Sequence, residues 1–194
     1  MNILKTQQLL ERLAGLLRSE SRAQLTQYGL QPIQFEALHY LSQCNRYSDT
    51  PMAVTEYLGQ TKGTVSQTLK VLEKKGLLHK KADLDDKRVT RLEITEQGRQ
   101  VVDEVLPSPV LQQAGLFLQG NELAATNRSL ESLLIHLQQA NRFKSFGQCV
   151  SCIHNLKTSA NQYLCGLTQE SLSQDETLLI CREHDTKHEL HASP

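Results

Sequence analysis

The stretch from Gly59 to Gly76, GQTKGTVSQTLKVLEKKG, constrains this 194-residue chain more than any other. Val65, Leu69 and Leu72 recur at i, i+4 and i+7, so a helix with 3.6 residues per turn carries them on one side. Gly63, Gln67, Lys70 and Lys74 fall on the other side, with Thr64 and Ser66 at its margins, and that face has no reason to pack in a core. Thr61 is placed to cap the helix through its hydroxyl, and Gly76 to end it in the left-handed conformation. A face of small residues, hydroxyls, an amide and lysines suits a DNA major groove, where Gln pairs with adenine and Lys with guanine or phosphate. Taken alone, the same pattern also describes a solvated surface helix.

Charge distribution separates these two readings better than net charge does. The 21 basic residues balance the 21 acidic ones, so no global excess points to nucleic acid. Between Lys62 and Arg91, however, nine basic residues face four acidic ones, a local excess of five. A basic segment of this kind is what phosphate neutralisation requires. The N-terminal run MNILKTQQLLERLAGLL is broken by Lys5, Gln7, Gln8, Glu11 and Arg12, which disfavours a signal peptide or membrane span and predicts a cytoplasmic protein. In that compartment the five cysteines are expected to be metal ligands, reactive thiols or core residues rather than structural disulfides. The sequon at Asn127-Arg128-Ser129 is then accidental.

In chain order, Leu9, Leu10, Leu13, Leu16 and Leu17 predict an amphipathic helix from Ile3 to about Ser21, followed by a break at Tyr28-Gly29. The next helix is expected to start near Pro32 with Ile33, Phe35, Leu38 and Leu41 inward. Cys44 closes it and reads as a small, partly buried apolar residue. A polar loop, Asn45 to Thr50, leads into a short helix with Ala53, Val54, Tyr57 and Leu58. Gly59 to Thr61 makes the turn into the helix described first, and two short helices joined in this way form a helix-turn-helix whose second helix is the reader. Leu77 to Lys81 and Lys87 to Ile94 flank the turn-rich Ala82 to Asp86, and the alternation from Val89 to Ile94 predicts a β-hairpin with a charged tip. A hairpin in this position is a wing.

At this point the chain closely resembles the MarR family of winged-helix transcription regulators. The residues that carry the likeness are Glu56-Tyr57-Leu58-Gly59, Thr61 to Leu69, Leu72-Glu73-Lys74-Lys75-Gly76-Leu77, and Asp85-Asp86-Lys87-Arg88 followed by Leu92 to Gly98. The resemblance covers roughly residues 1 to 142. It implies a mainly α fold with a small β-hairpin wing (α+β), and a homodimer whose terminal helices interlock below two DNA-binding lobes. It also implies that Arg88 enters the minor groove, where a narrow groove's negative potential attracts arginine; the alternative for Arg88 is a salt bridge to Asp85 or Asp86. The DNA-binding residues expected are Lys62, Thr64, Ser66, Gln67, Lys70, Lys74, Lys87 and Arg88, with Thr64, Ser66, Gln67 and Lys70 at base edges. Two-fold symmetry predicts a pseudo-palindromic operator with half-sites about one helical turn apart.

Thr95 can cap a further helix through Val101, Val102 and Val105, which Pro107 and Pro109 interrupt where the family usually has one long helix. A last helix, about Asn121 to Phe143, carries Leu123, Leu130, Leu133, Leu134 and Leu137. The domain organisation expected is residues 1–30 and 99–143 for dimerisation, 31–98 for the winged lobe, and 147–194 for an appended cysteine-rich tail. In that tail Cys149 and Cys152 form a CxxC, Cys165-Gly166 follows after twelve residues and Cys181 after fifteen more. Four thiolates match tetrahedral zinc, and they equally match an iron–sulfur cluster; metal-free thiols are the third reading. A segment of about 35 residues so poor in aliphatics calls for a staple. His184, His188 and His191 read as a solvated tail, and His154 as a weak substitute ligand.

The function expected is a DNA-binding regulator of the repressor type, with a small-molecule effector possible. If the tail holds a cluster, the effector could be redox state, iron supply or nitric oxide, whereas zinc would make it a scaffold. The competing reading is a redox or electron-transfer protein using the four cysteines, with the winged helix as a protein-interaction module. No nucleophile, base and oxyanion-donor set is evident, so an enzyme is not expected.

Overall fold

The computed structural model describes residues 2–84, 86–118, 120–140 and 144–186. Helix α1 (Ile3–Leu25) starts where the Asn2 side chain accepts from the Lys5 amide, and it runs four residues beyond the expected Ser21 before a 3-10 turn, Thr26–Tyr28. Gly29, at φ +59°, makes the break. Helix α2 (Pro32–Gln43) has proline in its first turn and a reciprocal pair of cap bonds between Gln31 and Gln34. It is the centre of the lobe, because Phe35, Ala37, Leu38, Tyr40 and Leu41 are all buried. Thr50 caps α3 (Pro51–Leu58), which Gly59 ends in the left-handed conformation.

Helix α4 (Lys62–Lys74) is capped by Thr61, whose Oγ accepts from the Thr64 amide at 3.2 Å. Its C-terminus closes by two bonds, Gly76 N–H to Glu73 O and Leu77 N–H to Leu72 O, with Gly76 at φ +72°. This is the Schellman arrangement, and the left-handed residue it needs is the reason for glycine. Strands β1 (Leu78–Ala82) and β2 (Thr90–Ile94) pair antiparallel, Leu78 opposite Ile94 and Ala82 opposite Thr90. Leu92 and Ile94 point into the core and Glu93 outward, as period-2 alternation requires.

Thr95 then caps α5 (Glu96–Val105) through the Gly98 amide, while its hydroxyl donates to Gly76 O. Val101, Val102 and Val105 join Leu25, Leu38, Leu69, Leu72 and Leu78 in one hydrophobic core. A Cβ on Gly98 would meet Leu77 O at 2.3 Å and Ile94 Cγ1 at 2.8 Å. The Thr95-x-x-Gly98 pattern therefore exists because α5 crosses the root of the wing at backbone contact. Gly98→Ala should destabilise the lobe by about 1–3 kcal/mol, the usual cost of overpacking, which a denaturant melt would read as a lower midpoint at unchanged slope.

The prolines do more than interrupt. Pro109 opens a separate helix, α6 (Pro109–Phe117), that sequence reading did not anticipate. Ser108 caps it, and Glu20 of α1 accepts from both Ser108 Oγ (2.5 Å) and the Val110 amide (2.9 Å). Helix α7 (Glu122–Ala140) has no buried residue; residues 141–143, where the expected helix continued, lie outside the described ones. Among the described residues no helix is long and apolar enough to cross a membrane.

Residues 144–186 fold into a small module with strands β3 (Asn155–Lys157), β4 (Tyr163–Cys165) and β5 (Glu170–Leu172) in one antiparallel sheet. The tail is not a loose appendage. Phe146 packs edge-on against Tyr40 and Tyr57, and Ile180 bonds through its backbone to Gln43 and Asn45.

Candidate nucleic-acid interface

The outward side of α4 is composed as its sequence suggested. Val65, Leu69 and Leu72 are buried, joined by Thr68, whereas Lys62, Gly63, Thr64, Ser66, Gln67, Lys70 and Lys74 are exposed. Among the described residues Lys62, Lys70 and Lys74 have no acidic partner within ion-pair distance. Lys62 and Ser66 share a cleft of about 270 Å³ with Pro51, Met52 and Thr55 of α3 and with Lys80 and Thr90 of the wing. The helix and hairpin thus border one surface.

Elsewhere in the basic segment the charges are already spent inside the protein. Lys80 pairs with Glu73 at 2.6 Å, Lys81 with Glu93, and Lys75 donates to Tyr28 O. Arg91, counted with the basic face in the sequence, is a structural brace. Its Nε donates to Asp83 at 2.6 Å, and its Nη1 to Asp49 Oδ1 and to Arg46 O, both at 2.8 Å. The Leu92 amide donates to Asp49 O at 2.8 Å. The loop from Asn45 to Thr50, which read as a plain connector, is therefore the anchor of the wing. Nothing in the spacing of Asp49 and Arg91 signals this, because they are brought together only by the fold.

At the wing tip Lys87 and Arg88 are exposed, and Arg88 chelates Asp86: Nε to Oδ1 at 2.9 Å and Nη2 to Oδ2 at 2.8 Å, with the Arg88 amide also bonded to Oδ1. These bonds hold the Asp86 carboxyl below the usual carboxylate range. The salt bridge weighed against DNA contact is thus present in the free protein, with Asp86 as its partner; Asp85 lies outside the described residues. The Arg88 side chain is still 90% exposed, and pairs so placed in water hold weakly.

The four tail cysteines differ in burial. Cys149 and Cys152 are buried, and Cys165 and Cys181 are half-buried. Burial, reinforced by Cys152, Cys165 and Cys181 as neighbours, pushes the Cys149 thiol up to about 11. At Cys165 burial opposes the thiolate, but bonds from the Thr168 side chain and the Thr168 and Leu167 amides outweigh it, and its pKa lies below the ordinary thiol value. Burial raises Cys181 against bonds from the Asn45 side chain and the Glu183 amide. Among the described residues no group of three or more His, Cys, Asp or Glu side chains is arranged so as to hold a metal ion. Cys44 matches its expected role, since burial pushes its thiol up to about 12.

His184 corrects the reading of the closing histidines as solvated. It is buried against Gly147, and its two ring nitrogens meet Ser145 Oγ at 2.6 Å and Ser151 Oγ at 2.9 Å. Burial lowers its pKa, against the pull of Asp185. The sequence signal lay in Gly147, whose missing side chain is what admits the ring. His188 and His191 lie outside the described residues.

Two short helices, an exposed second helix and a hairpin bordering the same cleft define a winged helix-turn-helix protein. Residues 28–89 match the model of the MarR family. The lobe has the winged helix-turn-helix fold that solved MarR-family structures share. A MarR family protein from Bacillus stearothermophilus has the same fold at TM-score 0.60 and 22% identity, over 71% of this chain and 96% of that one. The MepR–DNA complex of S. aureus aligns at TM-score 0.56 and 22% identity, over 67% and 96%. CouR from Rhodococcus jostii RHA1, bound to p-coumaroyl-CoA, aligns at 0.52 and 21%, over 64% and 86%. No curated protein matches the chain. The family match ends at Val89, so the cysteine module lies outside it.

Proposed function

We propose that this protein is a transcription regulator, of the repressor type, that binds a pseudo-palindromic operator as a homodimer. The observation that carries this reading is the exposed face of α4, where Lys62, Lys70 and Lys74 stand without acidic partners among the described residues, beside a wing that ends in Lys87 and Arg88. Uncompensated lysines on a rigid helix attract phosphates, and Thr64, Ser66, Gln67 and Lys70 between them are the groups that read base edges. The likeness to a MepR–DNA complex supports the same use of the fold.

A homodimer follows from the outer helices. Leu9, Leu13 and Leu16 of α1 and Leu123, Leu130 and Leu134 of α7 are all exposed in the single chain, and leucine faces of this size mark an interface. Control would come from any effector that favours one spacing of the two lobes, by no more than its differential affinity for the two states. A small molecule is one candidate class, as CouR's bound p-coumaroyl-CoA suggests by analogy. The protein is a binding protein rather than an enzyme in this reading.

Gln67→Ala tests base reading. It should narrow the ratio of affinities for operator and random duplex by about 5- to 150-fold, the 1–3 kcal/mol of one bidentate base contact. Equal losses on both duplexes would remove Gln67 from the base-reading set. The competing redox reading, with the winged helix as a protein-docking module, leaves the unpaired lysines without a role.

A further inference from the structure

Among the described residues from His79 to Arg91 none is buried, so the outer half of the wing is placed by polar bonds and not by a core. A two-stranded hairpin left to itself in water is marginal. Lys80 pairs with Glu73 on the α4 side. On the other side the bonds converge on one loop: Arg91 Nη1 donates to Asp49 Oδ1 and to Arg46 O, and the Leu92 amide donates to Asp49 O, all at 2.8 Å. The loop lies against β2 where a third strand would.

The same loop is held from outside by residues 144–186. Ile180 pairs with it as an added edge strand does, its amide donating to Gln43 O and its carbonyl accepting from the Asn45 amide, both at 2.9 Å. The Arg182 amide donates to Ser48 Oγ at 2.8 Å, and its guanidinium grips Glu56 of α3 by two bonds of 2.7 Å. From β5 and the turn after it, Glu170 and Glu176 hold Arg46 at 2.7 and 2.6 Å, and Tyr47 Oη donates to the same Glu170 oxygen. Arg46 joins the two sides: its guanidinium is taken by carboxylates of the tail, and its carbonyl by Arg91 of the wing.

We infer that the C-terminal module is a positioning element of the DNA-binding lobe: by clasping Gln43 to Asp49 it fixes the outer half of the wing, so that operator affinity depends on Arg46, Glu170, Glu176 and Arg182, which lie outside both α4 and the wing. The part that concerns affinity rests on the reading of the wing as part of the DNA surface. Charge-assisted bonds with paired geometry, as between Arg182 and Glu56, fix direction as well as distance. A hairpin that lacks buried side chains takes its place from whatever holds its anchor, and half of that hold comes from the tail. Arg46 and Arg182 are positioning residues, acting through the loop and Arg91.

The experiment uses the full chain under reducing conditions and the variant Arg46→Ala, Arg182→Ala, which keeps the Arg46 carbonyl and the Arg182 amide in place. Hydrogen–deuterium exchange without DNA follows the Asp83, Val89 and Leu92 amides, bonded to Val89 O, Asp86 O and Asp49 O, with the amides of α4 as the internal control. The wing amides should exchange at least about fivefold faster in the variant and those of α4 less than about twofold faster, as local rather than global opening requires. Operator affinity should fall at least about fivefold in an otherwise native chain but less than about twofold when Arg88 is already alanine, because the two changes act on one contact. Arg46→Lys, Arg182→Lys, which keeps both charges, should recover most of the affinity.

Unchanged exchange at Leu92 and Asp83, or equal acceleration in α4 and the wing, overturns the positioning role. An affinity loss that simply adds to that of Arg88→Ala places the effect outside the wing and overturns the link to DNA. Should the double variant not fold, Glu170→Gln at the exposed edge of the module carries the same comparison, and native exchange there at Leu92 overturns the clasp. Faster wing exchange in a protein whose native form binds no duplex leaves the clasp standing and removes the DNA reading instead.

Discussion

Replacing Leu130 and Leu134 of α7 by glutamate is expected to leave a folded monomer that has lost operator affinity on the order of a hundredfold or more, because a dimer engages its second half-site as an intramolecular event. Both leucines are exposed in the single chain, and α7 buries nothing of its own. The substitutions therefore remove no buried side chain from the protomer. Across a dimer seam they would strand carboxylates in an apolar contact, where an unpaired charge is far costlier than in water. Light scattering gives the mass, circular dichroism the helix content, and anisotropy the affinity. A double variant that stays dimeric would move the interface to α1 and α6, whose leucines, Val110 and Phe117 are also exposed.

Arg88→Ala is expected to weaken DNA binding at least tenfold at physiological salt with the melting temperature unchanged. The stability half follows from geometry: Arg88 and Asp86 lie in water at the wing tip, so the pair adds little to folding. The binding half follows from the groove, whose negative potential offers the guanidinium a stronger partner than a single exposed carboxylate. A companion, Asp86→Asn, releases Arg88 from its bonds to the carboxylate and should hold or raise affinity. Loss in both variants would mean that the tip geometry matters and the arginine charge does not. An unchanged Arg88→Ala would take the wing out of the interface.

Much of the lobe was legible because its signals are local. Thr61, Thr95, Gly59 and Gly76 cap or end their helices as their residue types dictate, and the stripe Val65, Leu69, Leu72 shows which side of α4 faces in. The alternation at Leu92, Glu93 and Ile94 has the same character. The misreadings have another. Arg91 looked like part of a basic face because charge counting sees residues along the chain and not the carboxylates of Asp49 and Asp83 that the fold sets around it. His184 looked solvated because its partners, Ser145 and Ser151, lie 39 and 33 residues away. Helix α6 was hidden by prolines that break one helix and begin the next.

The sequence by itself determined the winged helix, the side of α4 that meets solvent, and the four thiols of the tail. Each of these depends on interactions between residues a few positions apart, and helical or strand period makes those visible in a string of letters. Only the tertiary structure decided that the cysteine module grips the loop that anchors the wing. That contact is assembled from Arg46, Asp49, Glu56, Arg91, Glu170 and Arg182, groups up to more than a hundred residues apart. Hydrogen bonds and ion pairs over such separations carry no period, and they exist only once the chain has closed the distance.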